Sequence, residues 1–253
     1  MADPSGSASA EYAHRHEPAP LGSPRLHFRS TDSTNERARR LAIAGAPHGT
    51  LVTADEQTAG RGRHGRGWVA APGTSLLCSL VLRWPESSQP PALLPLMAGV
   101  AAGEAIGEQA LLKWPNDVVV GEELRKLAGI LVEARTQDGW AVLGIGVNVA
   151  VDLCDLPAEV RVRAATLGRE ADAIEPLLAD LLAALGAGLS RRPEETLAAW
   201  RSRDALTGRQ IAWGQDQRGQ AQGVDDQGRL LVQSADGSTA TLSAGDVHLS
   251  MTG

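Results

Sequence analysis

The stretch QTAGRGRHGRGW, Gln57–Trp68, packs Gly60, Gly62, Gly65 and Gly67 between Arg61, Arg63 and Arg66, with His64 among them. The first three glycines satisfy G-x-G-x-x-G, the dinucleotide-binding fingerprint. That fingerprint needs a helix opening on its third glycine, so that pyrophosphate meets free N–H groups. RGWVAAPGTS follows instead, and Gly67, Pro72 and Gly73 forbid a helix there. A P-loop fails as well, because no Lys-Ser or Lys-Thr follows the last glycine. A repetitive RG tail for nucleic acid would be terminal, whereas this stretch lies between two apolar strands. The formal net charge of −6 also leaves any basic function local.

A plain solvated turn does not need so many glycines and arginines, since like charges repel and glycine is costly to order. A loop that is mobile and self-repelling when empty, and ordered by a polyanion, fits the composition better. Near a protein surface one close charge pair is worth about 4 kcal/mol at an effective dielectric of about 20. The expectation is a closing anion clamp with a nucleoside triphosphate as occupant.

The flanking sequence indicates what positions this loop. Ser33 and Glu36 make an S-x-x-E capping box before a helical stripe of Ala38, Leu41 and Ala42, stopped by Gly45 and Pro47. GTLVTADEQTA reads as a strand entering the loop, TSLLCSLVLRW as a longer buried strand, and residues 92–109 as a buried helix. ALLKWPNDVVVGEELRKLAGILVEA reads as two strands flanking a turn at Pro115, Asn116 and Asp117. WAVLGIGVNVAV is a further strand, whose internal Gly144 and Gly146 imply a close approach of ligand or backbone. Helices over 174–185 and 194–203 carry Pro176 and Pro193 near their starts.

After Leu206, short alternating runs broken by Asp-Gln-Gly and Asp-Gly predict a small antiparallel barrel over residues 207–250. The predicted architecture is α+β, a mixed-sheet domain over 25–205 and the small β domain behind it. Residues 1–24, rich in Ala, Ser, Pro and Gly and holding His14 and His16, read as a disordered tail that is not a secretory signal. No run reads as long enough to span a bilayer. Cys78 and Cys154 lie in apolar stretches and read as buried thiols in a reducing, cytoplasmic compartment.

Five motifs then resemble one family in order and spacing: DSTN at 32–35, EQTAGRGRHGRGW at 56–68, KWPNDV at 113–118, RKLAGILVE at 125–133 and GIGVNV at 144–149. They are similar to the biotin protein ligases, and the resemblance runs over about residues 27–250, with the barrel like that family's SH3-like domain. It departs in leaving no room before residue 25 for a winged helix-turn-helix, so a short type without DNA binding is expected.

The resemblance implies ATP and biotin as substrates, Mg²⁺, and transfer of biotin to a lysine of a biotin carboxyl carrier protein or domain of acetyl-CoA or acyl-CoA carboxylase. It implies Lys126 and Arg63 as catalytic residues. Biotin is expected at Ser33, Thr34, Asn35, Gln57, Arg61, Gly62, Arg63, Lys126, Gly129 and Gly144. ATP is expected at Arg61, Arg63, Arg66, Trp68, Lys113, Asn116 and Asn148, with Asp117 holding Mg²⁺ through water. No membrane partner is expected, and edge-to-edge pairing of two copies stays open. A lipoate–protein ligase and a non-enzymatic biotin-binding module are the alternatives.

Overall fold

A computed structural model describes residues 20–84 and 89–249. The tail expected over 1–24 falls mostly outside them. Its last five residues belong to the body instead: the Gly22 N–H donates to the Gly49 carbonyl at 2.9 Å, and Leu21 packs against the core.

The larger sheet is mixed. In chain order its strands are Arg25–Phe28 (β1), Leu51–Ala54 (β2), Ser75–Arg83 (β3), Leu111–Lys113 (β4), Asp117–Val120 (β5), Arg125–Arg135 (β6) and Trp140–Asn148 (β7). They lie in the order β1-β2-β3-β7-β6-β5-β4, with β1 and β2 parallel and the other pairs antiparallel. The KWPND region thus holds three strands where two were expected. Pro115 and Asn116 turn β4 into β5, and a second turn at Gly121–Leu124 precedes β6; Leu124 there adopts a φ of 51°.

Helix Thr34–Ile43 (α1) covers one face of this sheet, burying Ala38 and Ala42 with Val52, Val81 and Val142. Leu94–Ile106 (α2) covers the other. Behind the four-residue helix Ala158–Arg161 (α3), Ile174–Ser190 (α4) and Pro193–Arg201 (α5) join α2 there. Strand β3 is buried on both faces, which explains its unbroken apolar run: Leu76, Cys78, Leu80 and Leu82 meet the α2 side, Ser79 and Val81 the α1 side. Cys78 is buried as expected, whereas Cys154 is exposed. Contrary to expectation, Ala171–Ser190 is long and apolar enough, by length and composition, to cross a membrane; here its Leu177, Leu181 and Leu185 are buried in the core.

Five C-terminal strands form a separate antiparallel sheet: Gln210–Trp213 (β8), Gln217–Val224 (β9), Leu230–Gln233 (β10), Thr239–Leu242 (β11) and Val247–Leu249 (β12), ordered β11-β10-β9-β8-β12. It is welded to the larger unit. Trp114 donates its indole N–H to the Gly228 carbonyl at 3.0 Å, and Ile211, Leu230 and Val247 belong to the same core cluster as α2.

Candidate active site

The N-terminus of α1 is capped by an unexpected residue. Ser33 makes no side-chain cap bond, and Glu36 turns outward to Arg39 and Arg40, so the expected capping box is not formed. Gln57, at the entrance to the arginine loop, supplies the cap: its Oε1 accepts the Thr34 N–H at 2.7 Å and lies 3.0 Å from the Thr34 hydroxyl oxygen. Ser79 Oγ, fully buried beneath, lies 2.8 Å from Thr34 Oγ1 and 2.7 Å from Asn35 Oδ1. Asn35 Nδ2 donates to Glu133 at 3.0 Å. A polar chain therefore crosses from α1 through β3 to β6.

Opposite this chain, Gly129 and Gly146 face each other across β6 and β7. Their bare backbones make a flat seat for the Trp68 indole. A Cβ on Gly146 would stand 2.8 Å from Trp68 Cε2, and one on Gly129 3.0 Å from Cζ3. The indole Nε1 is buried without a hydrogen-bond partner among the described residues. Gly144 differs from expectation, because the space against it is taken by the Asn35 side chain. Gly129 likewise accommodates Trp68 and the Lys126 stem.

Lys126 is aimed by a register shift between β5 and β6, where Asp117 pairs with Gly129 but Val119 with Lys126. Its Nζ comes within 2.7 Å of Asp117 Oδ1 and 5.8 Å of the Trp68 ring centroid. Its backbone is pinned from the other side, donating to the Arg163 carbonyl at 2.6 Å. Lys113, on β4, pairs with Asp117 on β5, and burial pushes its ammonium below the usual lysine range, with Asp117 opposing the shift. Beneath the site, burial raises the Cys78 thiol to about 12, which keeps it protonated.

The loop is ordered by its own backbone. Gly62 N–H donates to the Arg66 carbonyl at 2.7 Å, Trp68 N–H to the Gly60 carbonyl at 3.0 Å, and a short turn spans Arg63–Gly65, with His64 at a φ of 54°. The expected self-repulsion is offset, because each guanidinium has a protein acceptor. Arg61 lies 3.5 Å from Glu36, Arg63 donates to Asn116 Oδ1 at 3.1 Å and to the Gly245 carbonyl at 3.3 Å, and Arg66 meets Asp246 at 2.6 Å. The ion pairs of Arg61 and Arg66 leave those guanidinium groups more than half exposed and are worth about 0–1 kcal/mol each, so their grip is weak.

Ser33, Thr34, Asn35, Gln57, Arg61, Gly62, Arg63, Arg66, Trp68, Asn116, Asp117, Lys126, Gly129 and Gly144 all line one cleft of about 130 Å³. Two expected residues lie apart. Lys113 is not on its wall, and Asn148 spends its amide nitrogen on the Ala165 carbonyl at 2.8 Å. Asp117 is the counter-ion of Lys126, and among the described residues no three His, Cys, Asp or Glu side chains could hold a metal ion. These residues form no cage for a metal; Mg²⁺ would be held here only through water at Asp117 together with phosphate oxygens of a nucleotide. Sequence reasoning missed Ser79 and Glu133. The signal for each was a polar residue set in an apolar strand, LLCSLVL and AGILVE.

Residues 27–151 match the biotin/lipoate A/B protein ligase family, and residues 213–250 the biotin protein ligase C terminal domain. The chain is 37% identical to the biotin–[acetyl-CoA-carboxylase] ligase of Mycobacterium tuberculosis over 87% of its own length and 86% of that protein. It is also 37% identical to the bifunctional ligase/repressor BirA of Bacillus subtilis, but over only 48% of that protein's length; for the Bacillus spizizenii counterpart the share is 44%. Among solved structures, the Aquifex aeolicus biotin protein ligase in complex with biotin and ATP superposes with a TM-score of 0.75 at 28% identity, covering 89% of this chain and 99% of that one.

Proposed function

The chain belongs to the biotin protein ligase family, and from that premise we propose that it attaches biotin to protein in two steps. First, a carboxylate oxygen of biotin attacks the α-phosphorus of ATP; biotinyl-5′-adenylate forms and pyrophosphate leaves. Second, the ε-amine of a lysine on the biotin carboxyl carrier protein, or carrier domain, of acetyl-CoA or acyl-CoA carboxylase attacks the acyl carbon. An amide forms, AMP leaves with the acyl–oxygen electron pair, and the amine loses a proton.

One observation carries this reading: the cations Lys126 and Arg63 line the same cleft as the Thr34–Gln57 hydrogen-bonding groups. Both nucleophiles come from the substrates, so the protein has only to position them and neutralise charge. Thr34 and Gln57 hold the ureido ring at the head of α1. Lys126 stabilises charge developing at the α-phosphate and at the attacked carbonyl. Arg61, Arg63 and Arg66 exchange weak protein partners for carboxylate and phosphate oxygens, which bind guanidinium more strongly. Trp68, seated on its two glycines, packs along the adenylate.

Purified protein incubated with biotin, MgATP and a carrier domain is expected to yield a carrier one biotinyl group heavier by intact mass, with AMP released. An unmodified carrier refutes the proposal. Modification with lipoate and none with biotin would favour the lipoate alternative, against which stands the match of residues 213–250 to the biotin protein ligase C terminal domain.

A further inference from the structure

The polar chain behind the cleft has fewer protons than contacts. Three oxygen–oxygen contacts, Gln57 Oε1 to Thr34 Oγ1 at 3.0 Å, Thr34 Oγ1 to Ser79 Oγ at 2.8 Å and Ser79 Oγ to Asn35 Oδ1 at 2.7 Å, share two hydroxyl protons. A hydroxyl donates once, so one contact lacks a proton. Which one depends on the Asn35 amide. Gln57 cannot rotate its oxygen away, because that oxygen accepts the Thr34 backbone N–H at 2.7 Å.

The other end of the chain decides. Glu133 Oε2 and the Leu131 carbonyl, both acceptors, lie 3.0 and 3.4 Å from Asn35 Nδ2, so the amide must present its nitrogen to them and its oxygen to Ser79. Ser79 then donates to Asn35, and the single Thr34 proton goes to the shorter of its two contacts, Ser79 at 2.8 Å rather than Gln57 at 3.0 Å. Gln57 Oε1 keeps a lone pair that no hydroxyl uses, and Thr34 Oγ1 accepts nothing. With the Asn35 amide reversed, the protons would run the other way, from Asn35 through Ser79 and Thr34 to Gln57, and that lone pair would be filled.

We infer that Glu133 is a positioning residue that, through Asn35 and Ser79, points the buried protons away from the cleft and so leaves Thr34 and Gln57 as acceptors for a ligand's N–H donors. The inference deepens the biotin reading and rests on it for the identity of the donors, the two N–H groups of the ureido ring. Glu133 touches no ligand in this arrangement. Its side chain lines the separate cleft on the outer side of the arginine loop.

Two substitutions break the chain and their combination mends it. Glu133→Ala removes the nearer, charged acceptor and leaves only the Leu131 carbonyl at 3.4 Å, and Asn35→Asp sets two carboxylates about 3 Å apart. In the double variant N35D/E133Q the amide at position 133 donates to the carboxylate at position 35, which still accepts from Ser79. In wild-type protein without ligand, the Asn35 side-chain amide protons are expected to resonate downfield and exchange slowly; in Glu133→Ala, with only the distant Leu131 carbonyl left, they should shift upfield and exchange faster. The biotin Kd by calorimetry, and the biotin KM for adenylate formation, are expected to rise about tenfold in each single variant, the loss of one net hydrogen bond. At saturating biotin the kcat of Glu133→Ala should stay within about threefold, and N35D/E133Q should recover the wild-type Kd to within about threefold, which a merely structural role would not produce.

Wild-type Kd in Glu133→Ala, or a double variant no better than Asn35→Asp alone, would overturn the inference. Wild-type protein that takes up no biotin would instead refute the proposed function, and the Asn35 amide signals would still decide the direction of the chain.

Discussion

The ammonium of Lys126 lies 2.7 Å from the Asp117 carboxylate across two strands whose register is broken at that point. The carboxylate holds the lysine at the cleft wall without burying it, since the Lys126 side chain remains 38% exposed. Lys126→Ala is therefore expected to lower adenylate formation by about 10²–10³-fold, the usual cost of losing one donor to a developing oxyanion. Asp117 Oδ1 is buried and loses its cation, so stability is expected to fall by about 1–3 kcal/mol with the fold intact. Biotin-dependent pyrophosphate exchange measures the first effect and calorimetric unfolding the second. Undiminished exchange would remove Lys126 from the chemistry.

Arg63 spans the two units of the protein, donating to Asn116 beside the β4–β5 turn and to the Gly245 carbonyl before β12. Arg63→Gly deletes both contacts and one cation over the proposed adenylate. The expected outcome is adenylate released at least about tenfold faster, with biotin appearing on lysines of a bystander protein added to the reaction. Rapid filtration of preformed adenylate complex gives the rate. Retention equal to wild type would show that this arginine does not close the clamp.

Local pattern revealed the strands around the loop, because the apolar runs of β3 and β7 are each longer than a turn could interrupt. Most of the cleft-lining residues came instead from the resemblance to the biotin protein ligases, carried by five motifs in order. What neither could reach was partnership across sequence distance. Gln57 caps a helix that begins 23 residues earlier, and Glu133 meets Asn35 across 98. The capping box lost to local competitors, because Asp32 takes the Ser33 N–H and Arg39 and Arg40 take the Glu36 carboxylate. The loop's charge was misjudged because its compensating groups, Glu36, Asn116 and Asp246, come from three distant segments.

Glu36 gives the fold an acid sensitivity with a defined sign. Hydrogen bonds from Arg39, then Arg40, lower its carboxyl from the ordinary 4.5 to about 2. The folded state therefore binds fewer protons than the unfolded state between those values. The stabilisation is present above about pH 4.5 and is lost as pH falls toward 2. Chemical unfolding measured from pH 6 down to pH 2 should show stability falling through this window, with a shallower slope in Glu36→Gln. Equal slopes would mean that the Arg39–Glu36–Arg40 cluster does not contribute to α1.

Two glycines on one strand should separate the support of the site from the site itself. A Cβ on Gly144 would fall on Asn35 Oδ1, inside a buried network fixed at both ends, whereas one on Gly146 would meet only the Trp68 ring, carried by a loop that can give way. Gly144→Ala is expected to cost about 1–3 kcal/mol of stability, the usual price of forcing an atom into a packed interior, and to weaken biotin binding with it. Gly146→Ala should leave the urea midpoint almost unchanged, shift the tryptophan emission as the indole is lifted toward water, and weaken ATP-dependent steps selectively. The two variants differ by two positions on the same strand face, so general disruption of β7 predicts equal losses of stability. Matching urea curves for the pair would show that neither the Asn35 network nor the indole seat governs the cleft.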